Sequence, residues 1–163
     1  MRFVELYQVQ FEILGQVALA MLLGAIIGFE RELVDKPAGL RTHMLVAGAS
    51  ALLVALGDVI VRHFDLGLDR GLVRSDPTRI IEAVITGVSF LGAGTIIRHR
   101  SKWRIEGLTT AASLLFVAAV GTCVALSQWV LAVGVTFLVL VTLRGLGFIE
   151  RWMARRRANA NKR

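Results

Sequence analysis

Residues 107–143 run without a single Asp, Glu, Lys or Arg. One helix through all of them would be about 55 Å long at ~1.5 Å per residue. A hydrocarbon core is about 30 Å thick and takes roughly 20 residues to cross. The run therefore predicts two membrane spans with a break near Ser127 and Gln128. Three further apolar stretches precede it, so the expected spans are 11–29, 44–61, 80–97, 108–126 and 129–149. The first three hold one acid each (Glu12, Asp58, Glu82), the fourth holds no charge and the fifth only Arg144. The predicted fold class is an all-α membrane protein, a bundle of about five transmembrane helices. Residues 1–150 form one transmembrane domain on this reading, and 151–163 form a basic cytoplasmic tail.

Composition agrees: 55% of the 163 residues are hydrophobic, and the mean hydropathy is +0.65. The net charge of +7 would suit nucleic acid in a soluble chain, but here its distribution argues otherwise. Thirteen Lys and Arg fall in the first and third connections and the tail, against five on the other side, with Arg144 inside a span. Cytoplasmic segments of membrane proteins carry that excess. The expected topology is multi-pass in a bacterial inner membrane, N-terminus outside and C-terminus cytoplasmic, with the lipid bilayer and no nucleic acid as partner. The single cysteine, Cys123, falls mid-span and reads as a packing residue.

Small and polar residues add pattern to the spans. Ala20, Gly24 and Gly28 recur every fourth residue in the first, a spacing that lets helix backbones approach closely in lipid, within the bundle or in a homodimer. In the third span, Arg79, Glu82, Thr86, Ser89 and Ala93 fall in one arc of roughly 80° at about 100° per residue, with Gly87, Gly92 and Gly94 in the same segment. This arc is expected to face other helices while Ile81, Val84, Ile85, Val88 and Leu91 face lipid. Ionisable groups inside a membrane usually mark function or a paired contact, so Glu82 either pairs with Arg79 one turn away or belongs to a polar path. Ser75, Asp76 and Pro77 read as a helix start. At the cytoplasmic ends of the spans, Glu30, Arg31 and Glu32, then Arg41, Thr42 and His43, then Glu106, Thr109 and Thr110 converge on one membrane face. His43 is expected as an interfacial cap or ion partner, and Thr109, Thr110 and Ser113 as a hydroxyl face of the fourth span.

Three blocks of these residues carry a family resemblance. Gly24 and Gly28 with Phe29-Glu30-Arg31-Glu32, followed by Lys36-Pro37-Ala38-Gly39-Leu40-Arg41-Thr42-His43, resemble the first signature of the MgtC/SapB family of bacterial inner-membrane proteins. Asp76-Pro77, Arg79-Ile80, Gly87 and Phe90-Leu91-Gly92-Ala93-Gly94 resemble the second, and Gly107-Leu108-Thr109-Thr110-Ala111-Ala112-Ser113 the third. The chain departs where Ala83 stands for an expected Gln and Leu115 for an expected Trp. The resemblance implies a role in magnesium homeostasis, adaptation to low Mg²⁺ and, in some pathogens, virulence.

Two functions compete on this reading. One is a regulatory membrane protein that docks on other membrane machinery, such as an ion-translocating ATPase. The alternative is a direct Mg²⁺ transporter, with Mg²⁺ as substrate or ligand and no other cofactor. Mg²⁺ keeps several waters and is satisfied by one or two carboxylates, so Glu30, Asp76 and Glu82 are its candidate ligands. Arg31, Arg41 and Arg79 are expected near most of these acids and would neutralise them, and no acid-rich series of positions crosses the bilayer. No Ser-His-Asp arrangement or metal-ligand spacing supports an enzyme, so none is expected.

Overall fold

The computed structural model describes the backbone of residues 2–65, 78–99 and 104–160, with side chains at 7–61, 78–96 and 105–145. Five helices make up nearly all of it: α1 (Arg2–Leu33), α2 (Leu40–Asp65), α3 (Thr78–Ala93), α4 (Leu108–Ala125) and α5 (Trp129–Ala160). The apolar segments Tyr7–Leu33, Leu40–Val61 and Leu108–Ala125 are long and apolar enough to cross a membrane, and α5 contributes a shorter one, Trp129–Gly145. The chain is an all-α membrane protein.

α4 touches each of the other four helices. Its sequence explains this, because it is apolar all round and so has no face to give to water. Leu114, Val117, Val120 and Val124 of α4 are fully buried, against Ala20 and Ile27 of α1 and Ala47 and Ala51 of α2. The many alanines bring backbones together where lipid offers no hydrophobic drive. The outer surface is correspondingly apolar, with Phe11, Leu22, Phe90, Val130, Phe137 and Leu138 well exposed.

Two of the turns share one device. α1 ends with Lys36 N–H donating to the Arg31 carbonyl and Asp35 N–H to the Glu32 carbonyl, with Asp35 left-handed at φ 50°. α4 ends likewise, with Gln128 N–H on Cys123 and Ser127 N–H on Val124, and Ser127 at φ 57°. These are Schellman closures, in which a left-handed residue lets the chain satisfy the last helical carbonyls and reverse. The second places the break where the charge-free run requires it.

Two expectations need correcting. The third span was expected over 80–97, but α3 stops at Ala93 and is about 24 Å long at ~1.5 Å per residue. Gly92 and Gly94 weaken the helix, and the Thr95 hydroxyl donates to the Gly92 carbonyl at 2.7 Å, drawing the chain out of helical geometry. Beyond it, Ile97–His99 and Arg104–Glu106 pair as a short antiparallel hairpin, β1 and β2, where a plain basic loop was expected. Gly107 then enters α4 at φ 95°, its Cα so close to the Thr95 carbonyl that no side chain would fit.

The second correction concerns the face of α3. Val84 and Gly92 are buried and Ile81 and Val88 half-buried, whereas Arg79, Glu82, Thr86, Ser89 and Ala93 are exposed. The polar arc points away from the bundle because α3 packs its apolar side on α4, where Gly92 meets Ala111. α5 continues unbroken past residue 150 to Ala160.

Candidate functional site

The first turn of α2 is pressed against α1 by two glycines. A Cβ on Gly24 would lie 2.6 Å from the His43 carbonyl oxygen, and one on Gly28 would lie 2.8 Å from both His43 Cβ and Leu40 Cα. This close approach buries His43 completely although it sits near a helix start. Its ring spans two helices. Nδ1 faces the Gly39 carbonyl at 2.9 Å, which can only accept, so Nδ1 carries a proton. Nε2 lies 3.0 Å from the Ser113 hydroxyl of α4. That hydroxyl also reaches the Thr110 carbonyl at 2.8 Å, so its single proton serves two acceptors. His43 is thus a buried tie between α2 and α4 rather than the interfacial cap expected.

Glu30 and Arg31, each 4% exposed, form a two-pronged ion pair. Arg31 Nε donates to Oε2 at 2.5 Å and Nη2 to Oε1 at 2.8 Å. Both carboxylate oxygens are therefore engaged by one guanidinium, the strongest arrangement available to such a pair. Glu32 serves the backbone: its Oε2 accepts from the Leu40 N–H at 2.8 Å, satisfying one of the donors that α2 leaves open at its start. Thr110 completes the cluster. Its Oγ1 is buried and has no hydrogen-bond partner among the described residues.

The structure divides the remaining candidates. Thr42 is half-buried beside His43, while Arg41, Glu106 and Thr109 are exposed around the cluster rather than within it. Arg79, Glu82, Thr86 and Ser89 lie on the outward face of α3, and of the two alternatives for Glu82 the ion pair with Arg79 does not form among the described residues. Gly87 and Gly94 meet no other helix. Asp76 lies outside the described residues. Glu30 sits at one end of the bundle and Glu82 at the other, so these two candidate metal ligands do not converge. Among the described residues no group of three or more His, Cys, Asp and Glu side chains could hold a metal ion.

Sequence reasoning missed that Ser113 is the partner of His43. The signal was present as Thr110 and Ser113 one turn apart, buried polar side chains on an otherwise apolar helix. It also missed Gln16, which is 8% exposed inside α1.

The MgtC family profile matches residues 17–152, which take in α2, the His43 cluster, α3 and α4. Protein SrpB of Synechococcus elongatus is 37% identical over 142 residues, 83% of this chain and 75% of that protein. Protein SapB of Bacillus subtilis is 33% identical over 140 residues, 86% of this chain and 59% of its own length. "Putative magnesium transporter YhiD" of Escherichia coli is 36% identical over 132 residues, 81% of this chain and 59% of its own length. The chain thus spans about three fifths of the length of several curated relatives it matches. No solved structure matches it significantly. With more than four fifths of its residues inside the family profile, the chain belongs to the MgtC family.

Proposed function

We propose that this protein is a regulatory membrane protein of magnesium homeostasis that docks on another membrane protein through the outward face of α3. The observation that carries the reading is the direction of that face. Arg79, Glu82, Thr86 and Ser89 are exposed together with the small residues Ala83, Gly87 and Ala93. Polar side chains facing hydrocarbon are costly, and small residues allow a second helix to approach closely. A partner helix covering this face satisfies both conditions, and an ion-translocating ATPase is the class of partner the reading favours. The magnesium context rests on the name of the Escherichia coli relative and on the family. The excess of Lys and Arg in the first and third connections and the tail supports an inner-membrane topology with the C-terminus in the cytoplasm.

Direct Mg²⁺ transport is the competing reading, and the site geometry disfavours it. The Glu30 carboxylate spends both oxygens on Arg31, and Glu82 faces out of the bundle. The test is reconstitution of the purified chain into liposomes loaded with a magnesium-sensitive dye. Regulation by docking predicts uptake equal to that of empty liposomes. Saturable uptake lost in Glu82→Gln would overturn the reading in favour of transport.

A further inference from the structure

Arg144 is a charge that the bundle leaves unanswered. It lies near the end of the apolar segment Trp129–Gly145 of α5. Its side chain is exposed, and it makes no ion pair or hydrogen bond among the described residues. At ~1.5 Å per residue it stands about 22 Å along the helix from Trp129, about 8 Å short of the far edge of a 30 Å hydrocarbon core. A guanidinium facing lipid at that depth is costly unless an anion meets it, and its long stem lets the charged head reach toward the membrane surface. On α1, which packs against α5, Glu30 is held by Arg31 and Glu32 accepts from the Leu40 N–H. The residues in line with Arg144 follow the order of a phospholipid, apolar and then charged. Val133, Phe137, Arg144, Arg151 and Arg155 fall in one arc of roughly 40° at about 100° per residue. Val133 and Phe137 are 56% and 64% exposed, whereas Ala132, Thr136 and Val139 are buried on another side of the helix. Glu150, the one acid in α5, falls about 100° or more from the arc, in line with that buried side.

We propose that this stripe of α5 binds an anionic glycerophospholipid, with its phosphate at Arg144 and Arg151 and an acyl chain along Phe137 and Val133. A guanidinium offers phosphate oxygens two parallel N–H donors. Arg144 and Arg151 are two turns apart, about 10 Å along the axis, so one lies below the headgroup layer and the other at it. The lipid must carry net negative charge, because no acid shares this face with the arginines. Phosphatidylcholine brings its own cation and neutralises nothing. A free phosphate ion lacks the apolar portion that Phe137 and Val133 cover. The stripe lies on α5 and the docking face on α3, so either can fail without the other.

The test uses the full chain in neutral maltoside micelles with an equimolar mixture of phosphatidylglycerol and phosphatidylcholine, and native mass spectrometry counts the lipids retained. The parent is expected to favour phosphatidylglycerol about tenfold, a difference of ~1.4 kcal/mol. Arg144→Gln is expected to bring the two lipids to parity while keeping the unfolding midpoint measured without added lipid. Arg144→Lys is expected to retain part of the preference, and Arg151→Gln to lower it severalfold. Arg157→Gln, at a position away from the arc, is expected to leave it unchanged. Should Arg144→Gln fail to fold, Arg151→Gln decides by the same ratio. Equal retention of both lipids by the parent, or an unchanged preference in Arg144→Gln, would overturn the assignment. Loss of the lipid to millimolar inorganic phosphate would also overturn it, by making the site one for the free ion. A photoreactive residue at Phe137 that captures another protein in native membranes would do the same, by giving the stripe to a docking partner.

Discussion

Gly28→Leu is expected to destabilise the folded bundle by about 3 kcal/mol or more. The added Cβ would lie 2.8 Å from His43 Cβ, 2.8 Å from Leu40 Cα and 3.0 Å from the Gly39 carbonyl. Two of those atoms are backbone and the third is fixed to it, so no flexible side chain can swing aside. Relief requires α1 and α2 to separate, which would also pull His43 away from Ser113. Gly24 is the same case one turn earlier, against the His43 carbonyl and Ala47. Gly87→Ala is the control, because a Cβ there meets nothing within 4 Å. In a helix it should gain about 0.5–1 kcal/mol from the smaller backbone entropy loss. Denaturant titration of the detergent-solubilised variants by circular dichroism separates the two. A Gly28→Leu protein as stable as the parent would show that α1 and α2 do not pack as described.

Glu30→Gln is expected to cost about 3–5 kcal/mol, because it leaves the buried Arg31 guanidinium without its counter-charge. Arg31 is only 4% exposed, so water does little to compensate. The double variant Glu30→Gln with Arg31→Met removes the stranded charge and is expected to be more stable than Glu30→Gln alone. The same unfolding titration measures this ordering. A double variant that loses the sum of the two single losses would mean that Glu30 and Arg31 act independently. Should Glu30 instead serve transport, its amide variant would fold normally and fail only in flux.

Much of the architecture was legible in the sequence. The charge-free run 107–143 required a reversal near Ser127, and the Schellman closure at Ser127 supplies it. The spacing of Gly24 and Gly28 marked a close helix contact, and its target is the His43 turn at the start of α2. Which side of α3 faces inward was not legible. Periodicity separates a polar from an apolar side, but in lipid either side can face the bundle, and the packing of Val84 and Gly92 on α4 decides it. His43 and Ser113 are seventy residues apart in sequence. Their contact depends on α4 lying against α2, and a single sequence holds no record of that neighbour.

The most direct test of docking through α3 is site-specific photo-crosslinking in native membranes, with the photoreactive residue at Gly87. This position is exposed, meets no other helix and lies midway along the polar face. Docking predicts an adduct joining this chain to a second, different membrane protein, with no adduct from the same residue placed at buried Val117. A crosslink that contains only two copies of this chain, or none at all from Gly87, would contradict it.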